Sequence, residues 1–237
     1  MLVLTVIQGP DKGRTFELPD NEPQLIGRSS EAILINVPGG VARRMFDQTT
    51  RESHAQDIRL NYGYVIDSCQ RALPLLRKSG NGGSIVNYTT IEAHRGAATY
   101  AVYAGAKAAT TNFSKALAVE LAKEGIRVNL IAPDTTPSRT SMSSAKPEWM
   151  ARYYALPDEM KSLGMEIYIP QKVPPTQEDL ANAVLFLVSD LSKSITGITL
   201  HVDGGTMASA GFLEWPYDNK WGPAPGVGLL EKLSGIT

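Results

Sequence analysis

The sequence of 237 residues predicts an α/β fold with a doubly wound, mostly parallel sheet. From Glu31 onward, apolar runs of strand length alternate with longer segments of helical periodicity. This alternation is typical of parallel sheets, because a crossover helix connects one strand to the next. Hydrophobic residues make up 43% of the chain and charged residues 20%, which indicates a globular domain with an ordinary core.

Composition argues against several classes of protein. The formal net charge is -1, so charge does not favour nucleic acid or an anionic membrane as a partner. Cys69 is the single cysteine and the three histidines are scattered, and we therefore expect no disulfide and no metal site. No apolar run approaches the roughly 20 residues of a membrane helix, and Met1 to Ile7 is too short for a signal peptide. We therefore expect a cytoplasmic protein without a membrane partner.

The first thirty residues differ in pattern from the rest of the chain. Leu2 to Ile7 and Arg14 to Leu18 are predicted strands, and the turn from Gly9 to Gly13 between them predicts a β-hairpin. Prolines and short polar residues over 19–23 then end the hairpin. We therefore predict a hairpin segment over residues 1–30 and an α/β domain over residues 31–237.

The elements of the α/β domain can be assigned in order. Each predicted strand is a short apolar run, and each predicted helix has apolar residues at helical spacing. The predicted strands are 32–37, 84–88, 126–131 and 198–202. The predicted helices are 50–77, 100–124 and 176–189, and the proline-rich segment 138–175 is predicted to be irregular.

Tyr103 and Lys107 form the pair that can carry chemistry. They lie four residues apart on a predicted helix, so their side chains project from one face. A nearby lysine cation lowers the pKa of a phenol, which would make Tyr103 a general acid or base. Thr90 lies at the carboxyl end of a predicted strand, where its hydroxyl could bind a carbonyl oxygen that gains charge. The alternative for the pair is a core tyrosine beside a solvated lysine.

Glu92 and His94 follow Thr90 and could line a substrate pocket. The alternative for these two residues is an exposed loop pair.

The stretch from Gly83 to Pro133 closely resembles the short-chain dehydrogenase/reductase family. The segment 34–40 lies where that family has its Asn-Asn-Ala-Gly turn, and Val202 to Gly205 matches a later motif. Asn61 falls where the family keeps a catalytic asparagine. The resemblance covers about residues 31–210 and implies a Rossmann-like sheet.

The resemblance implies a nicotinamide-dependent oxidoreductase with assigned roles. Tyr103 would be the acid/base, and Lys107 would lower its pKa and bind the nicotinamide ribose. Thr90 would orient the substrate oxygen, and Asn61 would hold a water of a proton relay. The residues that would contact the cofactor are Asn36, Gly39, Tyr103, Lys107 and Pro133.

Two positions depart from the family pattern. Thr90 replaces the usual serine, which keeps the hydroxyl and stiffens it. Asp134 replaces the glycine that usually follows the proline, and a carboxylate there would disfavour the cofactor unless it points away.

Much of the family's nucleotide-binding half is missing. About 27 residues separate Gly9 from Asn36, whereas a single strand-helix-strand unit takes about 30 or more. Thr15 stands where the third glycine of the phosphate-binding turn is expected. We therefore expect NAD or NADP to bind weakly, with little preference between the two.

The opening of the chain instead resembles a forkhead-associated domain, a β-sandwich that binds phosphothreonine. Gly27-Arg28-Ser29 matches a turn of that family, whereas Ala42 and Met45 replace its serine and histidine.

Three functions follow from the two resemblances. The first is NAD(P)-dependent interconversion of a small carbonyl compound and an alcohol by a homo-oligomer. The small residues of the long helix would either form the contact between its subunits or pack closely onto the sheet. The second is an inert relic with a defective cofactor site, and the third is a phosphopeptide-binding module.

Overall fold

The computed structural model describes residues 2–5, 15–18, 24–28, 31–37, 39–41, 43–136, 151, 154–215 and 220–222. The predicted turn from Gly9 to Gly13 lies outside these residues, as does part of the segment 138–175. The chain forms two compact units. One comprises Met1–Leu130 and Leu185–Thr199, and the other comprises Ile131–Val184 and Leu200–Thr237.

Five strands form the central sheet in the order β3-β4-β5-β6-β7, with β4 to β7 parallel. The predicted parallel α/β fold is confirmed. β1 and β2 pair separately, as do β8 and β9. The strands are β1 Leu2–Thr5, β2 Thr15–Leu18, β3 Gln24–Arg28, β4 Glu31–Asn36, β5 Gly83–Tyr88, β6 Ile126–Pro133, β7 Thr199–Val202, β8 Leu213–Trp215 and β9 Lys220–Gly222.

Helices separate the parallel strands along the chain, as the alternation predicts. Most of them lie between β4 and β7. Those whose bounds lie within the described residues are α1 Arg51–Ile58, α2 Tyr64–Lys78, α3 Ala101–Leu121, α4 Asp158–Tyr168, α5 Gln177–Val188 and the short α6 Thr206–Ser209. None of the helices in the described part of the chain is both long enough and apolar enough to cross a membrane.

The N-terminal hairpin is confirmed, because β1 and β2 pair antiparallel with Leu2 opposite Leu18. The strand β3 is missing from the sequence prediction, which assigned no element between the breakers at 19–23 and residue 32. In the structure, β3 pairs antiparallel with β4 along its whole length. Five residues between proline and serine carry too little periodicity to predict a strand, and the pairing with β4 supplies what the local sequence lacks.

The predicted helix 50–77 is interrupted by a single π-helical turn, Arg59–Gly63. The N–H group of Tyr64 bonds to the carbonyl of Arg59, five residues back. The apolar spacing does not reveal this turn, because α1 has no buried residue that would fix the helical phase before it.

The prediction that 138–175 is irregular is wrong for Asp158–Tyr168, which forms α4. Pro157 precedes this helix, and its carbonyl accepts bonds from Met160 and Lys161. Proline ends a helix from within but is well suited to its start, because the missing N–H group needs no partner there. The capping pair at the start of α5 is confirmed, since Thr176 and Asp179 bond each other's backbone N–H groups.

The core of the first unit lies between the sheet and helices α2 and α3. Its fully buried members come from β4, β5, β6 and α2 and share branched apolar side chains. They include Leu34, Val65, Leu76, Ile85, Ile126 and Val128. Because this core fixes the ends of β4 and β5 against α2 and α3, it positions the side chains described next.

Candidate functional site

Thr89 joins the end of β5 to helix α3. Its hydroxyl donates to the carbonyl of Lys107 at 3.2 Å and lies 2.8 Å from the hydroxyl of Thr111. All three residues are buried. This contact brings Thr90, the next residue, beside Tyr103, one turn back along α3. The two hydroxyl groups share a hydrogen bond.

Lys107 is buried, with only 2% of its surface exposed. Its ammonium nitrogen donates to the carbonyl of Tyr88 at 3.1 Å and lies 6.0 Å from the ring centroid of Tyr103. Burial lowers the pKa of Lys107 to about 7, because the charged form loses its water. The solvated lysine of the alternative interpretation is therefore excluded.

Burial also raises the pKa of Tyr103 to about 12. The hydrogen bond with Thr90 lowers this pKa, whereas the charges of Glu92 and Tyr100 raise it further. The Tyr103 pKa therefore lies above its ordinary value in this structure, and a lowering by Lys107 stays a prediction. The sequence argument considered charges alone, whereas loss of water around the phenol is the largest cause of the shift.

Asn61 lies in the π-helical turn and is completely buried. Its side-chain nitrogen donates to the carbonyls of Asp57 at 3.0 Å and Gly40 at 3.1 Å. Its backbone carbonyl accepts from the Thr110 hydroxyl of α3 at 2.7 Å. The side-chain oxygen Oδ1 has no hydrogen-bond partner among the described residues. A buried acceptor of this kind is costly and is typical of a site that receives a ligand or a water.

Gly39 brings the loop after β4 to the same place. Its φ is +132°, which side chains rarely allow. A Cβ atom here would lie 2.5 Å from Asn61 Oδ1 and 3.2 Å from Lys107 Nζ. The backbone of Gly39, the acceptor of Asn61 and the amine of Lys107 therefore meet at one point.

Asn36, predicted to contact the cofactor, is buried at the end of β4. Its side-chain nitrogen donates to Asn87 Oδ1 at 2.8 Å, and its oxygen accepts from the Ser68 hydroxyl. Asn87 in turn donates to Ser114 of α3 at 2.8 Å. The amide of Asn36 therefore ties β4, β5 and α2 together, and contact with a cofactor stays a prediction for this residue.

Pro133 and Asp134 belong to the second unit, at the end of β6. The carboxylate of Asp134 accepts from the Tyr168 hydroxyl at 2.7 Å and from Thr135 at 3.2 Å. The charge introduced by Asp134 is thus engaged by α4 of its own unit.

Glu92 is a residue whose role the sequence left open. Its side chain is only 11% exposed, so the exposed-loop alternative is wrong for it. It bonds both Thr90 and Arg95. A glutamate two residues after Thr90 was a visible signal, but its direction depends on a 3-10 turn over Ile91–Ala93 that has no sequence signature. No cluster of potential metal ligands occurs within the described ranges.

Comparison with known proteins identifies the family of this chain. Residues 32–207 match the family described as enoyl-(acyl carrier protein) reductase. An oxidoreductase of Schizosaccharomyces pombe is 37% identical over 74% of this chain and 64% of its own length. The chain belongs to the short-chain dehydrogenase/reductase family.

Solved structures of this family show the same fold. An oxidoreductase of Burkholderia thailandensis is 29% identical, with a TM-score of 0.62, over 74% of this chain and 64% of its own. Carveol dehydrogenase of Mycobacterium avium, in complex with NAD, is 26% identical, with a TM-score of 0.64, over 74% of this chain and 65% of its own. The chain therefore spans less than two thirds of the length of these relatives.

Proposed function

We propose that this short-chain dehydrogenase/reductase is an NAD(P)-dependent oxidoreductase that interconverts a small carbonyl compound and its alcohol. The observation that carries the proposal is the meeting of Thr90, Tyr103 and Lys107 at the carboxyl end of β5, beside Asn61 and Gly39. Open α/β sheets bind ligands at this end of their strands. The S. pombe relative is an oxidoreductase, and the carveol dehydrogenase binds NAD.

The residues present fit the nicotinamide end of such a cofactor. Lys107 offers a buried amine, Asn61 a buried acceptor without a partner among the described residues, and Gly39 a backbone that carries no side chain of its own. Tyr103 completes the proposed contacts of this unit, Asn36 bonds Asn87 and Ser68 at the end of β4, and a contact of Pro133 with the cofactor stays a prediction. When bound, the nicotinamide supplies or accepts the hydride at the carbonyl carbon.

The chain's own residues would handle the proton and the oxygen. Tyr103 is protonated at neutral pH, because burial holds its pKa at about 12, so it can donate a proton to the product oxygen. Thr90 would bind the same oxygen through its hydroxyl and orient it toward Tyr103. Lys107 would hold the nicotinamide ribose, and Asn61 would hold a water that returns the proton.

We infer that the adenosine end of the site is weak. Within residues 2–45, every regular element of the described part is a strand. A helix N-terminus of the kind that usually binds the pyrophosphate is therefore not among these elements. β3 pairs antiparallel with β4 at this edge of the sheet. In this proposal, residues 1–30 are a piece that resembles a forkhead-associated domain and replaces part of the nucleotide-binding half.

Cofactor titration by calorimetry or fluorescence tests the proposal first. We expect a dissociation constant of about a millimolar, equivalent to about -4 kcal/mol, with little preference between NADH and NADPH. A micromolar constant for either cofactor would show that the N-terminal segment rebuilds a nucleotide site. No binding at several millimolar would favour an inert relic, and binding of a phosphothreonine peptide would favour a phosphopeptide module.

Turnover of a panel of small ketones and alcohols tests the chemistry. Tyr103→Phe keeps the ring and removes the proton donor, so we expect turnover to fall by about a hundredfold or more. Tyr154→Phe, which removes the hydroxyl of a tyrosine that is 62% exposed, is the matched control and leaves turnover unchanged. An active enzyme that is insensitive to Tyr103→Phe would remove Tyr103 from its role.

We also propose that the enzyme is a homo-oligomer and that α3 contributes to the contact. Its small exposed residues include Ala101, Gly105 and Ala116. Small side chains let two helices approach closely. Sedimentation that shows only monomer at micromolar concentration would contradict this proposal.

A further inference from the structure

Glu92 lies against Thr90, and the mechanism above does not use its carboxylate. The 3-10 turn after β5 is pinned by bonds from Ala93 to the carbonyl of Thr90 at 3.1 Å and from His94 to that of Ile91 at 2.9 Å. This turn folds the side chain of Glu92 back onto the strand end. The Thr90 hydroxyl donates to Glu92 Oε2.

Arg95 holds the carboxylate in this position. Its guanidinium nitrogen Nη2 donates to the other oxygen, Glu92 Oε1, at 3.0 Å. The Glu92 side chain is 11% exposed and that of Arg95 is 28% exposed, so the pair is partly shielded from water. With Oε1 bound to Arg95, Oε2 is the oxygen that faces Thr90.

The hydrogen-bond direction between Thr90 and Glu92 follows from their chemistry. A carboxylate only accepts hydrogen bonds, and a threonine hydroxyl has a single proton. While Thr90 donates to Glu92, it can only accept, either from Tyr103 or from the hydroxyl of an alcohol substrate or product. The Thr90 proton thus has two competing acceptors, the carboxylate of Glu92 and the oxygen of Tyr103. While Glu92 accepts this proton, Tyr103 cannot.

We propose that Glu92 is a positioning residue: by accepting the Thr90 proton, it turns the Thr90 hydroxyl away from Tyr103 and keeps the phenol protonated. The catalytic meaning of this inference rests on the proposed function. In that setting, Tyr103 is kept as the proton donor of carbonyl reduction. Thr90 then turns its proton toward the phenolate once Tyr103 has given its own proton to the product oxygen.

Burial mainly raises the pKa of Tyr103, and the charge of Glu92 raises it again. The bond with Thr90 lowers this pKa, which is the effect of a Thr90 proton directed at Tyr103, so Glu92 and Tyr103 compete for that proton. Among the described residues, the other charged or titratable groups near Tyr103 include Tyr100, which precedes α3, and Lys107 on α3. Arg95 bonds Glu92, and Arg44 and Asp57 line a small cavity with Tyr103.

Glu92→Gln reverses the polarity at Thr90 with little change of shape. Arg95 would retain the amide oxygen, so the amide nitrogen would face Thr90 and donate to it. The Thr90 proton would then be free to bond the phenolate of Tyr103. We expect the Tyr103 pKa to fall by about one unit or more.

The titration is measured on the protein with 3,5-difluorotyrosine at position 103, followed by fluorine NMR. Fluorination lowers the intrinsic pKa of the phenol, so the titration falls where the protein stays folded, and the label reports a single residue. Glu120→Gln is the matched control, because it removes one carboxylate from an exposed position on the same helix. We expect the control to leave the titration in place.

The same substitution in a Thr90→Val protein distinguishes an effect that passes through the Thr90 hydroxyl from a direct effect of the Glu92 charge on Tyr103. In Thr90→Val, no hydroxyl links Glu92 to Tyr103, so Glu92→Gln is expected to shift the pKa by less than about half as much. Equal shifts in both backgrounds would overturn the positioning role, and no shift in either would overturn any coupling. Because the experiment needs neither cofactor nor substrate, its outcome is independent of whether the oxidoreductase proposal holds.

Discussion

At the scale of single residues, the Thr90 hydroxyl is the group on which substrate orientation depends. Thr90→Ser keeps the hydroxyl and frees its rotation, so we expect turnover to be retained or raised. Thr90→Val keeps the shape and deletes the hydroxyl, so most of the turnover is lost. Steady-state rates with one active ketone decide the matter, and similar rates for all three proteins would reduce Thr90 to a packing residue.

The residues of the site were predictable to different depths. Tyr103 and Lys107 could be paired from their spacing, because a helix brings residues four apart to one face. Their protonation states could not be predicted, because these depend on how deeply the side chains are buried, and residue spacing does not give burial. Lys107 is 2% exposed, and this alone brings its pKa to about 7. The contact of Glu92 with Thr90 could not be predicted either, because it depends on the direction of a turn that only the folded backbone defines.

At the scale of elements, the loop after β4 places a glycine where a side chain cannot fit. Gly39→Ala combines an unfavourable φ of +132° with a Cβ 2.5 Å from Asn61 Oδ1. We expect it to lower the free energy of unfolding by about 1–3 kcal/mol and to weaken cofactor binding. Urea denaturation of the variant measures the first effect, and titration measures the second.

Gly40→Ala is the matched control for this loop. A Cβ at Gly40 meets no atom within 4 Å. We therefore expect its unfolding free energy to stay within about 0.5 kcal/mol of the parent protein. If both variants have the same unfolding free energy, the close approach of Gly39 to Asn61 is not the reason for a glycine at this position.

Helices and strands with a long hydrophobic pattern could be predicted from the sequence. Elements that depend on pairing with another strand were missed. The helix α3 and the strands β4 to β7 carry clear periodicity, and their bounds agree with the prediction within a few residues. β3 is five residues long and depends on its pairing with β4. α4 begins after Pro157, in a segment whose prolines led to the prediction of irregular structure.

At the scale of the whole molecule, Lys107 makes stability depend on pH. Below about pH 10.5 the unfolded chain holds a proton on this lysine, whereas the folded protein takes it up only near pH 7. The unfolded state therefore binds more protons between these values, and the free energy of unfolding rises with pH there. One proton corresponds to about 1.4 kcal/mol per pH unit. This contribution is lost as the pH falls toward 7.

Urea denaturation at pH 7.5 and 8.5 measures this slope. The measurement stops at pH 8.5 because burial raises the pKa of Cys69 from 9.0 to about 12. Above that pH the folded state holds the Cys69 proton more tightly than the unfolded state, so the free energy of unfolding falls as the pH rises. Lys107→Met is expected to reduce the slope by about 1.4 kcal/mol per pH unit. Lys115→Met, at an exposed position of α3, keeps it. An unchanged slope in Lys107→Met would contradict the buried, weakly basic lysine.

The π-helical turn Arg59–Gly63 has a consequence for how this chain tolerates deletions. Such a turn is an α-helix that holds one residue too many, so removing one residue would restore a regular helix from α1 into α2. That shorter helix would form readily, but it would rotate Asn61 by about 100° relative to one flanking helix. Its contacts with Gly40, Asp57 and Thr110 would not all survive. A length change that improves the helix would thus dismantle the site, which makes this turn a poor place to shorten the protein.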